Sequence, residues 1–129
     1  MKALTYALSL AEEADAQLLV LHVLEGFRAE KLTAYPDFDL PRYVRHLEDD
    51  ALARLRQAIP DDARTRCAPE ELLATGKAYR EILRVARERD VHLIVMGVHG
   101  RKPADLMFFG STTHHVIRTA TCPVLTLRG

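Results

Sequence analysis

Three short apolar runs constrain this chain most: "QLLVLHVLE" (17–25), "VHLIVMG" (91–97) and "CPVLTLR" (122–128). They are rich in β-formers and lack alternation, as strands buried on both faces do. "RCAPEELLAT" (66–75) is a weaker strand candidate that ends at Gly76. Between these runs the apolar residues fall at helical spacing. Leu4, Ala7, Leu8 and Ala11 make one stripe; Val44, Leu47, Ala51, Leu55 and Ala58 make a second, which stops near Pro60. Tyr79, Ile82, Leu83 and Ala86 make a third, and Thr113, Val116, Ile117 and Ala120 a short fourth. "GFRAEKLTAYPDFDLP" (26–41) has no period and carries Pro36 and Pro41, so it reads as a loop. Buried strands alternating with amphipathic helices predict an α/β domain with a mainly parallel sheet and helices on both faces. Neither a repeat nor a linker divides residues 1–129, which read as one unit.

Composition narrows the function classes. With 18 basic and 18 acidic residues the formal net charge is zero, which argues against a broad grip on nucleic acid or acidic lipid. Arg101-Lys102 is a small local exception. No apolar stretch reaches the ~18 residues needed to span a bilayer, and the start lacks the apolar core of a secretory signal. Cys67 and Cys122 form no CxxC pair and read as buried, inert hydrophobes. The expectation is a cytoplasmic protein without membrane or nucleic-acid partners.

The glycines after the 91–97 run point to chemistry. Ligands of open parallel sheets bind beyond the carboxyl ends of the strands, where Gly97 is predicted to lie. A glycine there permits an unusual φ and close approach to the backbone, and Gly100 can serve in the same way. Gly110-Ser111 precedes the last helical stripe, with Ser111 suited to cap its first turn. The free N–H groups and positive dipole end of that turn favour phosphate. Ser111 and Thr112 add hydroxyls and Arg101 adds charge. Neither the P-loop spacing nor G-x-G-x-x-G is present.

The spacing Gly97-x2-Gly100-x9-Gly110-Ser111 resembles the nucleotide-binding motif of the universal stress protein family, G-x2-G-x9-G-[ST]. "LIVMGVHGR", "GSTTHHVIR", "CPVLTLR" and "LLVLHV" are similar to the family's segments, so the likeness covers nearly the whole chain. It implies a doubly wound sheet in strand order 3-2-1-4-5, ATP binding with Mg²⁺, and a homodimer through the last strand, Pro123–Arg128. By the same resemblance Val23 lines the adenine pocket, with Met96 and Gly97 close to the nucleotide. Gly100, Arg101, Gly110, Ser111 and Thr112 then hold the ribose and phosphates.

In one respect the sequence departs from that family, whose members open with a central strand, typically "ILVPVD"-like, ending in an Asp that contacts the nucleoside. Here Met1 already stands at the start of the first helix. Two strand edges would be left beside an empty slot, at ~1–3 kcal/mol for each unsatisfied buried group. Three outcomes are open. The polypeptide begins upstream, the strands at 17–25 and 91–97 pair directly, or another chain fills the gap. The energetic penalty favours the first.

Other polar residues read as structural. His114 and His115 project about 100° apart on a helix and cannot easily share a metal ion, so with Arg118 they read as solvent-facing. His99 lies inside the glycine loop, on phosphate or on the surface. His22 and His92 read as partnered core or strand-end residues, Asp37 and Asp39 as solvated loop acids. "DLMFF" (105–109) is apolar for a loop and is expected to pack on a neighbour or a partner chain. No paired carboxylates, Ser-His-Asp set or metal-ligand spacing stands out, so the pattern suggests binding or at most slow hydrolysis. The function expected is that of an ATP-dependent sensor or regulator. Its rivals are a dimeric interaction module that binds no nucleotide and a slow ATPase.

Overall fold

A computed structural model describes residues 2–25, 37–98 and 110–128. Three segments of interest, His99–Lys102, "DLMFF" and most of the 26–41 stretch, lie outside the described residues. The elements are α1 (Lys2–Ala14), β1 (Leu19–Leu24), α2 (Leu40–Ala58), α3 (Asp61–Cys67) and β2 (Glu70–Thr75). They continue with α4 (Ala78–Glu88), β3 (Ile94–Val98), α5 (Ser111–Thr119) and β4 (Val124–Arg128). All strand pairing is parallel and helices connect the paired strands, so the chain is an α/β protein as its pattern predicts.

Local chemistry sets the helix ends. In α1 the stripe buries Ala7, Leu8 and Ala11. The helix then closes with Asp15 at φ 51° and the Ala16 N–H donating to the Ala11 carbonyl at 2.9 Å. Asp90, at φ 53°, ends α4 in the same way, with the Val91 N–H on the Ala86 carbonyl at 2.9 Å. Aspartate tolerates this left-handed position better than most side chains. At the start of α2, Asp39 accepts from the Arg42 N–H at 3.2 Å, and Pro41 occupies the first turn. Proline fits there because its missing N–H would have no intrahelical partner. Pro41 therefore belongs to a helix and not to a loop, and Asp39 is a cap.

The short helix α3 is absent from the sequence reading, which extended the second strand back to Arg66. Pro60 stops α2 and launches α3, its carbonyl accepting from Ala63 and Arg64 at 3.1 and 3.3 Å. Asp61 and Asp62 place negative charge in the first turn. A helix of about two turns is too short to show a period, so local spacing does not announce it.

Among the described residues the strands form two separate two-stranded sheets, β1 with β2 and β3 with β4. Leu19 pairs with Glu70 through to Leu24 with Thr75, and Ile94 with Val124 through to Val98 with Arg128. Direct pairing of the 17–25 and 91–97 strands therefore does not occur. Helix α1 packs on β3 and β4, α2 on β1 and β2, and α4 on β1, β2 and α5. One core cluster joins Leu8, Ile59 and Ala63 with Leu4, Leu18, Val20 and Cys67. Both cysteines are half-buried rather than buried, and the Cys67 thiol donates to the Leu8 carbonyl at 3.6 Å. His22 and His92 are exposed, and His92 precedes β3 instead of lying in it.

Ion pairs fasten β2 to the helices over it. Glu71 meets Arg56 at 3.2 Å and Arg64 at 2.5 Å, with its own side chain only 12% exposed. Its Oε1 lacks a well-aligned hydrogen bond, so the Arg64 charge is what compensates its burial. Removing that carboxylate leaves two guanidinium groups facing each other without a counter-charge. Glu71→Gln is expected to lower stability by about 1–2 kcal/mol, discounted for the exposed arginines, in urea unfolding monitored by circular dichroism. On α4, Glu81 and then Glu88 hold the Arg84 pKa above its ordinary value through a hydrogen bond and charge.

Candidate functional site

A parallel strand pair joined by a helix forces that helix to run back against the strands. Helix α5 links β3 to β4, so its amino terminus begins at the end where the strands finish. Gly97 is the fourth residue of β3 and Met96 the third, while Val23 is the fifth of the six residues in β1. Of the described members of the predicted set, Val23 and Gly97 thus lie toward the carboxyl ends of their strands, Met96 at the centre of β3, and Gly110, Ser111 and Thr112 at the mouth of α5. Gly100 and Arg101 lie outside the described residues.

At that mouth the structure amends the sequence reading. The N-cap is Gly110, with φ −55° and ψ 161°, and Ser111 is the first helical residue rather than the cap. Among the described residues no side chain caps the turn. The first helical bond runs from the His114 N–H to the Gly110 carbonyl at 3.0 Å, so the amides before His114 have no such helical acceptor. Ser111 is exposed and Thr112 half-buried, while Thr113 and Val116 face inward at 6% and 0% exposure. The buried pair anchors the helix, and the two hydroxyl residues before it stand at its open end.

The two described glycines of the motif are not explained by backbone strain. Among the described glycines only Gly76 has a positive φ, 144°, so Gly97 does not use the unusual conformation expected of it. A Cβ on Gly97 would meet only the Ala3 Cβ at 3.5 Å, an ordinary contact. A Cβ on Gly110 would meet no atom of the described residues within 4 Å. Neither backbone conformation nor packing among the described residues requires glycine at these positions.

One feature of this end was not legible beforehand. His115 is exposed, as expected for its helix face, but its ring stacks on Tyr79 at 4.2 Å with an interplanar angle of 19°. Arg80 lies 5.7 Å over the same tyrosine ring. Tyr79 stands in the first turn of α4, so the stack ties that turn to α5. The contact joins residues far apart in sequence, and no local spacing announces it. Among the described residues, no three His, Cys, Asp or Glu side chains gather to hold a metal ion. No helix among them is long and apolar enough to cross a membrane.

Comparisons with known proteins agree with this architecture. Universal stress protein YxiE of Bacillus subtilis is 34% identical over 134 residues, covering 98% of this chain and 89% of that protein. The universal stress protein MJ0531 of Methanocaldococcus jannaschii is 26% identical over 129 residues, covering 99% and 74% of the two chains. Among solved structures, the universal stress protein UspA from Lactobacillus plantarum superposes with a TM-score of 0.76 at 24% identity, covering 98% of this chain and 88% of that one. A universal stress protein solved in complex with cAMP superposes with a TM-score of 0.60 at 20% identity, covering 98% and 85%. The description of the universal stress protein family matches residues 1–128, and the chain belongs to that family.

Proposed function

We propose that this chain binds ATP and acts as a sensor or regulator whose conformation or partner choice depends on the bound nucleotide. The observation that carries the reading is the mouth of α5: a helical turn that no side chain among the described residues caps, opened by a glycine that no described neighbour crowds. A helix amino terminus of this kind favours phosphate through its free N–H groups and its dipole. The residues present fit such a ligand. Gly110, Ser111 and Thr112 supply amides and hydroxyls for phosphate, and Gly100 and Arg101 complete the motif in sequence. Val23 and Gly97 lie toward their strand ends and Met96 at the centre of β3, and the nucleoside is assigned to these three. Mg²⁺ would arrive with the nucleotide and offset the charge of its phosphates. ATP shifts such a protein only if it binds one conformation more tightly than another.

Isothermal titration with MgATP tests the reading, with cAMP titrated in parallel because a structural relative is described as a cAMP complex. Saturable heat with MgATP is the expected result. No heat with MgATP overturns it, and heat with cAMP alone replaces ATP with a cyclic nucleotide at the same site. Phosphate release well above buffer, abolished by Ser111→Ala, would make the protein a slow ATPase.

The same proposal includes a homodimer through the Pro123–Arg128 segment. Among the described residues strand β4 is paired on one edge only, by β3, and Val124, Leu125 and Leu127 along it are half-buried. Sedimentation at several concentrations checks this, and a monomer throughout would exclude it.

A further inference from the structure

Helices α4 and α5 lie side by side. Tyr79, in the first turn of α4, stacks on His115. Further along, a cleft is lined by Leu83, Ala86 and Arg87 of α4 and by Thr119, Ala120 and Thr121 at the end of α5. Contacts advance along both helices together, so the two run in the same direction. Cations border this cleft. Arg80, Arg84 and Arg87 recur at spacings of four and three, which puts them on one exposed stripe of α4. Arg118 stands three residues beyond His115 on the exposed surface of α5. Their charges are satisfied unequally. Arg84 takes up both carboxylates of these two helices, Glu81 at 3.1 Å and Glu88 at 2.8 Å. Arg80 donates to the Tyr79 hydroxyl at 3.2 Å. Among the described residues, Arg80, Arg87 and Arg118 meet no carboxylate, whereas Arg54, Arg56, Arg64 and Arg66 of α2 and α3 each meet one.

We propose that the cleft between α4 and α5 docks an acidic amphipathic helix of a partner protein. Charge complementarity fixes the sign of the partner. The chain as a whole is neutral, so the uncompensated cations at this cleft are a local excess, and carboxylates are what would pair with them. Exposed arginines alone mark nothing, because water solvates them well. What marks this face is that they flank an apolar floor: Leu83, Ala86 and Ala120 are each half-buried and line the cleft. An amphipathic helix answers both features at once, laying apolar side chains over that floor and acidic ones against Arg80, Arg87 and Arg118. A nucleic-acid backbone would meet the charges but has no apolar group to seat between them. Helix α4 has 11 residues, about 16 Å at 1.5 Å per residue, so the docked helix makes contact over roughly three turns. The stacked rings of Tyr79 and His115 close one end of the cleft and hold its two walls together.

Fluorescence anisotropy tests the surface without any nucleotide, so the outcome is independent of the ATP reading. The probe is a labelled peptide of about 15 residues, long enough to form a helix, with leucine at helical spacing and glutamate elsewhere. Saturable binding that weakens with added salt is the expected result. Arg87→Glu together with Arg118→Glu should reduce affinity at least ~10-fold. The same charge change at Arg42 and Arg45, exposed on α2, should leave it within about 2-fold. Replacing the peptide's leucines with serine should also cost at least ~10-fold, since the apolar floor then gains no contact. That comparison changes only the probe, so it decides the matter even if a charge reversal disturbs folding. Four results would overturn the proposal. The acidic peptide does not bind, the α2 variant loses as much as the α4–α5 variant, or the serine peptide binds equally well. The fourth is single-stranded DNA of the same charge binding as tightly, which would make the cleft a nucleic-acid surface. Self-association of the protein alone, abolished by the Arg87 and Arg118 reversal, would assign the cleft to a second copy and overturn the separate partner.

Discussion

Gly110→Val is expected to leave the fold intact and to reduce MgATP affinity at least ~10-fold, equivalent to about 1.4 kcal/mol of binding energy. The variant separates packing from ligand contact because nothing among the described residues requires a glycine there. Backbone angles of −55° and 161° are open to valine, and a new Cβ meets no atom of the described residues within 4 Å. Valine is a poorer helix cap than glycine, which costs about 1 kcal/mol at most. Its two methyl groups would stand in the space over the first turn of α5, where phosphate is proposed to sit. Circular dichroism should show the wild-type spectrum and calorimetry a weakened or lost titration. A folded variant with unchanged affinity would remove the mouth of α5 from the site.

Ile59→Ala should cost about 2–5 kcal/mol, a large share of the ~5–15 kcal/mol that holds an ordinary domain together. Ile59 is 2% exposed and sits between α2 and α3, packed in the cluster that also contains Leu8, Ala63, Leu18 and Val20. Truncation opens a cavity where α1, α3 and β1 meet, and an alanine at the junction cannot refill it. The urea midpoint should fall sharply with little change in slope, since the surface exposed on unfolding is nearly the same. Ile117→Ala is the control: Ile117 is 45% exposed, so the change should stay within about 0.5 kcal/mol. Similar losses at both positions would mean that the Leu8–Ile59–Ala63 cluster is not the core.

Much of the architecture was readable because its signals are local. Leu4, Ala7, Leu8 and Ala11 repeat at helical spacing, and "LLVLHV" and "LIVMG" run apolar without alternation. Asp15 and Asp90 stand where α1 and α4 end in left-handed turns, a position that short polar side chains tolerate. The boundaries misread were those where one residue type serves two purposes. Proline breaks a helix interior but starts a helix well, so Pro41 reads as part of a loop and Pro60 as a stop alone, although each stands at a helix start. Ser111 was assigned the cap because serine favours it, yet Gly110 takes that place and leaves the turn uncapped.

The sequence alone determined the fold class, the order of most elements and the family, since periodicity, apolar runs and glycine spacing are properties of neighbouring residues. Tertiary structure alone decided that the described strands form two sheets, that His115 stacks on Tyr79, and that Gly97 and Gly110 sit in unstrained backbone. These depend on which distant segments come within a few ångströms of one another. Contact of that kind follows from packing the whole chain, and local spacing does not encode it.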